Sequence, residues 1–414
     1  MGIALRVLQE ENPVRLWIED PDGQEIGDDM VPKVGAIEDL FKGADKEEDI
    51  FIFDTSGNGV LADGISRDGF RVLGGSMLAD RLEKDRRFAR KVMEDSGIET
   101  PSSQTFHDFD AGIEFARRAS ERLVYKPSKR LGELSPSLVA YDQEDLIELL
   151  TNIKDRVKTS DVEFDLQVFI DGGLEISSEG WFNGYRWLGL FNHTFERKQF
   201  MDDNLGPSGG CTGNVVWACD GECPVCRSGI RRIEPFLRSK GYRGMIDLNA
   251  IVREDGLYGL EFTPRFGYDA APTLLFELLQ MEVGQFLADV AGGVVIDDPL
   301  RQDSYAGAVK ISIPPWPTER YKAESDVPIR GIEDLDDFYW YNVKYSDGLA
   351  SAGAWGMIAL ALGRSTSVRG AFAKPYRLAE GLRLQDKQYR TDLARQFSSN
   401  MEELEAYGLQ QHVG

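Results

Sequence analysis

Asp247, Glu261 and Arg265 are the residues whose types and spacing offer chemistry most directly. Two carboxylates side by side repel unless a cation lies between them, and such hard oxygen ligands suit Mg²⁺ (or Mn²⁺) that also holds a phosphate. Arg265 follows four residues after the glutamate, and its planar guanidinium matches phosphate oxygens. The three side chains predict a metal and polyphosphate site. The alternative is that both carboxylates are simply solvated, as most are.

A β-hairpin is predicted to position these side chains. Residues 244–252 alternate between apolar and polar, residues 253–256 (Arg-Glu-Asp-Gly) form a turn, and residues 257–262 return as a second strand. We expect this pairing to bring Asp247 close to Glu261.

Further positive charge is expected from the segment that begins at residue 122. The apolar run 122–126 predicts a strand, and a lysine at its end is costly unless its ammonium group meets an anion, so Lys126 is a candidate phosphate ligand. A lysine whose stem lies on apolar surface with its head in water is the alternative. Residues 127–136 have loop composition and contain Lys129 and Arg130, which favours a loop that folds over a triphosphate.

Residues 202–210 begin with two aspartates and end in a glycine-rich segment. Gly206-Pro-Ser-Gly209-Gly210 is typical of a mobile loop that closes on a bound ligand.

All four cysteines lie within a short stretch of the chain, namely Cys211, Cys219, Cys223 and Cys226. This spacing invites a four-sulfur Zn²⁺ site, although only the last pair has the regular two-residue spacing. Free buried thiols are the alternative. A disulfide framework is less favoured in a chain without an export signal.

The composition limits the class of protein. The 414 residues suffice for two or three domains, and 42% hydrophobic with 28% charged residues is typical of a soluble globular protein. There is no run of eighteen apolar residues and no signal-peptide pattern, so we expect a cytoplasmic enzyme. A net charge of -23 disfavours duplex nucleic acid or membrane binding through broad electrostatics. A monomer or a homodimer is expected.

The pattern of elements predicts an α/β (α+β) protein with three parts. Residues 1–97 alternate short apolar runs, such as 4–8 and 14–18, with helical patterns, as in a Rossmann-like domain, and a helix is expected from about Ser76 to Ser96. Residues 98–300 form the second part, with subdomains 98–165 and 166–300, and a helix from Leu274 to Val290 is expected to close it. Residues 301–414 form a smaller mixed α/β domain.

Several motifs in this order resemble the phosphoribosylamine-glycine ligase family of ATP-grasp enzymes, which acts in purine biosynthesis. The resemblance covers nearly the whole chain and implies the ATP-grasp fold. Its motifs are residues 70–74, 79–91, 96–101, 123–126, 175–177, 206–210, 241–244, 261–267, 373–376 and 389–392.

The resemblance implies a reaction in which Mg-ATP activates a carboxylate, such as that of glycine, as an acyl phosphate that an amine then attacks. It implies phosphate binding by Lys126, Lys198, Gly209 and Gly210. It implies adenine binding by the backbone of Gln167, Val168 and Phe169, and ribose binding by Glu175. It also implies metal binding by Asp247, Glu261 and Thr263, and stabilisation of the transferring phosphoryl group by Arg265.

The chain departs from the family at four places. Residues 9–13 (Gln-Glu-Glu-Asn-Pro) replace a glycine-rich loop, Lys129 and Arg130 replace a Gly-Lys-Gly turn, Thr263 replaces an asparagine, and the residues after Gly267 differ. We therefore expect a carboxylate-amine ligase with ATP machinery like the family's and a different acceptor. The alternatives are the family's own reaction and an ATP-binding protein without ligase activity.

Overall fold

The structure is a computed structural model that describes residues 1–127, 137–157, 162–267, 269–318 and 321–409. Within these ranges no helix combines the length and the apolarity needed to cross a bilayer. The α-helices are Gly2–Gln9, Gly59–Arg67, Met77–Lys84, Arg86–Asp95, Phe109–Arg118, Gln143–Arg156, Pro224–Ser228, Glu234–Lys240, Ala270–Thr273, Val283–Gly292, Val368–Ala371, Ala373–Gly381 and Leu393–Ala406.

Within the described part of the chain the strands form four sheets. In chain order they are β1 (Ile50–Ile52), β2 (Arg71–Leu73), β3 (Ser103–Phe106), β4 (Leu123–Pro127), β5 (Leu138–Val139), β6 (Phe164–Val168), β7 (Leu174–Asn183), β8 (Trp187–Met201), β9 (Leu205–Cys219), β10 (Arg243–Arg253), β11 (Gly256–Thr263), β12 (Tyr305–Ser312), β13 (Ser325–Pro328), β14 (Phe338–Trp340), β15 (Val343–Tyr345), β16 (Leu349–Ala352) and β17 (Met357–Ser365).

The N-terminal segment contains one parallel β-α-β unit. β1 and β2 pair in parallel, and the helix Gly59–Arg67 connects them. The apolar run at residues 4–8 lies in the helix Gly2–Gln9, and the run at 14–18 contributes only an isolated bridge, Leu16 to Lys33. The parallel sheet at this end therefore has two strands.

An antiparallel four-stranded sheet, in the order β3-β6-β4-β5, forms one wall of the candidate site. The helices Phe109–Arg118 and Gln143–Arg156 pack their apolar residues against one face of it, around Tyr125 and Phe164. Lys126 and Gln167 lie on this sheet, in β4 and β6.

The central element is an eight-stranded sheet in the order β11-β10-β7-β8-β9-β12-β17-β14. It continues across residue 300, because β12 pairs directly with β9 from Tyr305 opposite Trp217 to Val309 opposite Gly213. Residues on both sides of the predicted boundary at 300 thus share one sheet. The domain boundaries stay a prediction.

The two faces of this sheet differ because side chains alternate along each strand. One face is apolar and packs Phe195, Trp217 and Leu248 into the largest core cluster. The other face is apolar at one end, around Trp181 and Met245, and polar at the other. The polar end is where the predicted metal ligands lie.

Two predicted helices are interrupted. The helix expected from about Ser76 to Ser96 breaks at Asp85, whose side chain accepts the N–H of Phe88 and so begins a second helix. The helix expected from Leu274 to Val290 consists of a π-helical turn, Leu274–Leu278, and a separate helix that begins at Val283. Leu279 between them is extended and bridges to Leu300.

Candidate nucleotide and metal site

The predicted hairpin is present as β10 and β11, and a β-bulge sets which side chains meet on it. Ala250 lies opposite Gly259, whereas Asn249 lies opposite Glu261, so Leu260 is left unpaired. Without this extra residue Glu261 would point to the other face, since a shift of one residue reverses every side chain.

The bulge therefore places four side chains on one face. Asp247 lies opposite Thr263, and Asn249 lies opposite Glu261. The sequence led us to expect Asp247 as the neighbour of Glu261. Asn249 is instead the direct neighbour, and Asp247 lies one pair further along.

β7 and β8 extend this polar face. Glu179 lies opposite Asp247, and Ser177 lies opposite Asn249. From β8, Asn192 Nδ2 donates to Glu179 Oε2 at 2.8 Å and Thr194 Oγ1 donates to Glu179 Oε1 at 3.0 Å. The polar face is thus a network of acids, amides and hydroxyls across four strands.

The carboxylates of the polar face repel one another; Asp247 and Glu179 are buried and Glu196 is half-buried. Burial, reinforced by the charges of Glu179 and Glu196, raises the pKa of Asp247 well above its usual value. Burial also raises the pKa of Glu179 and brings that of Glu196 to about 7. A cation in the site would relieve this cost.

Two oxygens on the polar face are suited to hold such a cation. Asp247 Oδ1 and Asn249 Oδ1 are buried, and neither has a hydrogen-bond partner among the described residues. Glu261 is exposed beside them. A carboxylate, an amide and a second carboxylate form an oxygen donor set that fits Mg²⁺ or Mn²⁺.

Glu175 and Lys198, to which the resemblance gave ribose and phosphate binding, pair with each other. Lys198 Nζ forms an ion pair with Glu175 Oε1, and Asn249 Nδ2 donates to the same oxygen at 3.2 Å. Both groups therefore border the metal-ligand candidates.

Lys126 and Gln167 line one wall of an open cavity, and Glu261 lines the opposite wall. Arg86 and Arg90, from the helix Arg86–Asp95, also line it. Burial lowers the pKa of Lys126 while the charge of Glu261 opposes that shift. No described carboxylate lies within ion-pair distance of its ammonium group, so this cation is available to an anionic ligand.

The predicted adenine hinge has part of its backbone already engaged. The N–H of Val168 donates to Ser102 O, and the N–H of Phe169 donates to Arg122 O, both at 2.8 Å. Adenine recognition by Gln167, Val168 and Phe169 stays a prediction, and it would use the remaining polar groups of this segment.

Arg265 lies at the end of the hairpin and contacts another carboxylate. Its Nε is 3.0 Å from Glu83 Oε1, on the helix Met77–Lys84, and its Nη1 donates to Phe266 O. A phosphate contact by Arg265 would replace or share this ion pair.

The glycine-rich segment 206–210, which we expected to be a loop, is part of a strand. It is the first part of β9, paired with β8 through Gln199 opposite Ser208 and Met201 opposite Leu205. Gly209 packs so closely on Trp316 that an added Cβ would lie 2.4 Å from the indole ring. Strand pairing and this contact hold the segment in place. Whether Gly209 and Gly210 touch phosphate stays a prediction, and Lys129 and Arg130 lie outside the described residues.

The structure brings three of the four cysteines of the predicted zinc site together and places Cys211 elsewhere, while zinc binding itself stays a prediction. Cys219, Cys223 and Cys226 come together with His193, and their ligand atoms all lie within 4.8 Å of one another. Cys211 instead lies near Asp269 and Glu196 and contacts Gly213 O. It is separated because it lies eight residues before Cys219 on the same strand, and an extended strand rises by about 3.3 Å per residue. His193 was missed because only strand pairing brings β8 to this position.

Asn249, Glu179 and Glu196 were also missed by sequence reasoning. Asn249 follows Asp247 at the two-residue spacing of a shared strand face, and this signal could have found it. Glu179 and Glu196 can be assigned to the polar face only from the pairing of β7 with β8 and β10.

Known proteins share this architecture. No protein-family model matches the chain. It is 24% identical over 301 residues to phosphoribosylamine-glycine ligase of Methanosarcina barkeri, which covers 67% of this chain and 66% of the relative. It is 25% identical over 350 residues to a bifunctional purine biosynthetic protein of Pichia angusta, which covers 81% of this chain and 44% of that relative. The chain thus spans just under two thirds of the first relative's length and less than half of the second's.

Solved structures share the fold over nearly the whole chain. Phosphoribosylamine-glycine ligase of Thermotoga maritima superposes with a TM-score of 0.72 at 20% identity, covering 94% of this chain and 96% of that one. Biotin carboxylase of Campylobacter jejuni, in complex with β-γ-ATP, gives a TM-score of 0.62 at 12% identity over 98% and 94%. The predicted fold class is confirmed: the chain has the ATP-grasp fold and resembles the phosphoribosylamine-glycine ligases.

Proposed function

We propose that the chain is an ATP-dependent ligase that activates a carboxylate as an acyl phosphate and joins it to an amine, releasing ADP and phosphate. The observation that carries this proposal is the polar face of β7, β8, β10 and β11. There, Asp247 Oδ1 and Asn249 Oδ1 are buried without a hydrogen-bond partner among the described residues, and they neighbour Glu261, which lines a cavity together with Lys126. The resemblance to ATP-grasp ligases supports the same reaction class.

Asp247, Asn249 and Glu261 would hold the metal ion, with Thr263 beside them. Bound there, Mg²⁺ would neutralise charge on the ATP phosphates. Asn249 supplies the amide oxygen that the family has at the position of Thr263, so the replacement at 263 does not leave the donor set short.

The cations would act on the phosphates. Lys126 has no competing ion pair among the described residues, whereas Lys198 would exchange Glu175 for a phosphate oxygen and Arg265 would exchange or share Glu83. A substrate carboxylate oxygen attacks the γ-phosphorus, and ADP departs. The amine then attacks the acyl carbon, loses a proton and expels phosphate. Fixed positive charge stabilises the transferring phosphoryl group.

We propose that the amine acceptor differs from phosphoribosylamine. Residues 9–13, which stand where the family has a glycine-rich loop after its first strand, here follow the helix Gly2–Gln9. Glu10 after it caps another helix, since its carboxylate accepts the N–H groups of Val283 and Gly284 at 2.9 and 2.8 Å. A carboxylate therefore occupies a helix N-terminus that would otherwise suit an anion.

The second candidate is the phosphoribosylamine-glycine ligase reaction itself. It is favoured by the relatives, since both the Methanosarcina barkeri protein and the Thermotoga maritima structure carry that name. The expected cytoplasmic location and the monomeric or dimeric state stay predictions.

The deciding experiment measures ADP formation from Mg-ATP with glycine plus phosphoribosylamine, beside a panel of other carboxylates and amines. Turnover on another pair, with none on the standard pair, is the expected result. Turnover on the standard pair would select the second candidate. ATP binding without turnover on any pair would contradict the ligase proposal.

A further inference from the structure

A second cluster of ligand-type side chains lies on the apolar face of the central sheet, away from the polar face. His193 projects from β8, Cys219 ends β9, and Cys223 and Cys226 lie at the start of the helix Pro224–Ser228. His193, Cys223 and Cys226 are buried, and Cys219 is partly buried. The ligase reaction uses none of them.

The spacing of these atoms fits a single tetrahedral ion. Zn–S bonds of about 2.3 Å separate two sulfur ligands by about 3.8 Å. Cys219 Sγ lies 3.7 Å from Cys226 Sγ, and His193 Nε2 lies 3.3 Å from Cys223 Sγ. A sulfur-bridged iron cluster would hold its thiolates further apart, and a disulfide would bring two sulfurs to about 2.05 Å.

The groups around the cluster are those that a metal site requires. His193 Nδ1 lies 3.0 Å from Ser178 Oγ, so a proton on Nδ1 leaves the lone pair of Nε2 directed at the thiols. The backbone N–H of Cys226 donates to Cys223 Sγ at 3.3 Å, which favours a thiolate. Arg231 forms an ion pair with Glu222 at 3.0 Å, and its positive charge also favours the thiolate form of Cys226. Three thiolates and Zn²⁺ carry a net negative charge, and a nearby guanidinium offsets it.

We propose that Cys219, Cys223, Cys226 and His193 bind one structural zinc ion. Three sulfurs and one imidazole nitrogen complete a tetrahedron, and a closed, buried four-ligand set is typical of structural rather than catalytic zinc. Binding displaces the remaining thiol protons to solvent. The ion cross-links β8 and β9 to the helical segment that begins after Cys223.

The test measures the metal content of the full-length protein. Protein produced with zinc and dialysed against metal-free buffer is expected to hold about one zinc per chain. Cys223→Ser is expected to lose most of it. Cys211→Ser is the matched control, because Cys211 is also a buried thiol on β9 but lies outside the cluster, and it is expected to keep the full content. His193→Cys is expected to retain zinc in a four-thiolate site.

A second measurement does not depend on whether the variants fold. Titrating the unaltered protein with a mercurial thiol reagent, in the presence of a chromogenic zinc chelator, is expected to release one zinc for about three thiols modified. Folded protein that stays metal-free after exposure to zinc would overturn the proposal. Equal loss of zinc in Cys211→Ser and Cys223→Ser would overturn it as well. Neither outcome bears on ADP formation, so this test is independent of the ligase assignment.

Discussion

Glu261 is the exposed member of the oxygen set, and its charge is what the proposed metal site depends on. We expect Glu261→Gln to reduce ADP formation by about 100-fold or more, because the amide keeps an oxygen ligand but removes the negative charge that attracts Mg²⁺. Steady-state ADP release measures this. Glu254→Gln is the matched control, since Glu254 is an exposed glutamate in the turn of the same hairpin. Equal turnover by the wild type and Glu261→Gln would contradict the metal assignment.

Glu196 gives the apoprotein a pH-dependent stability. Burial raises its pKa from 4.5 to about 7, so its contribution is complete below about pH 4.5 and is lost as the pH rises through 7. Glu196→Gln should match the wild type near pH 5 and be more stable by about 1–2 kcal/mol near pH 8, after allowance for its partial exposure. Urea unfolding without metal or nucleotide measures this. A difference that grows toward low pH would contradict it.

The residues that sequence reasoning found are those whose signal is local. Alternation from residue 244 to 252 and the Asp255-Gly256 turn were enough to predict the hairpin. The bulge at Leu260 could not be predicted, because it depends on how β11 packs against its neighbours, and it decides that Asn249 rather than Asp247 meets Glu261. The position of His193 beside the cysteines could not be predicted either, since it depends on the pairing of β8 with β9.

The β8-β9 hairpin depends on an anchor near the C-terminus. Arg390 and Asp392 form a buried pair at 2.7 Å, with 1% and 4% of their side chains exposed. Arg390 Nη1 donates to Gln199 O, and Asp392 Oδ2 accepts the N–H of Asp203. The turn of the hairpin is therefore held by a segment almost two hundred residues away.

Removing one charge of this anchor should be costly. We expect Asp392→Asn to destabilise the protein by about 3 kcal/mol, because Arg390 is left buried without its counter-charge. The hydrogen bonds from Arg390 outweigh burial and hold the pKa of Asp392 at about 2 instead of 3.8. The contribution of Asp392 is therefore present above pH 3.8 and lost as the pH falls through about 2.

Urea unfolding and protease cleavage near residues 201–206 measure the loss of the anchor. Arg395→Gln is the control. Its ion pair with Asp203 joins two side chains that are each 69% exposed, and exposed pairs contribute little. Equal destabilisation by both variants would contradict the role of the buried pair.

Helix boundaries show the limits of sequence reasoning at the level of elements. Helical periodicity continues through Asp85, so one helix was expected, yet its carboxylate caps a new helix. Likewise the apolar run after Leu274 continues past Leu278, where pairing with Leu300 overrides helical propensity. In both places a tertiary contact or a cap ends the helix at a residue that the periodicity does not identify.

The two walls of the candidate nucleotide cavity belong to different sheets, so a nucleotide bound there should stabilise the whole chain. We expect Mg-ATP at about 100 times its Kd to add about 2.7 kcal/mol of stability and to raise Tm by several degrees. The same nucleotide with EDTA should give a smaller shift. Lys126→Met should lower the Mg-ATP shift further, because that wall loses its cation. Thermal unfolding followed by fluorescence checks all three, and an unchanged shift in Lys126→Met would contradict the cavity assignment.

The continuous sheet across residue 300 makes the chain suitable for division into complementary halves. Separate chains for residues 1–300 and 301–414 would each expose an unpaired strand at the edge of a sheet. This strand is β9 in the first chain and β12 in the second. Each half alone should aggregate through that edge, whereas the two produced together should reassemble by restoring the β9-β12 ladder. Co-purification of an untagged half with a tagged one would detect this, so a reporter split at 300 would signal only when both halves meet.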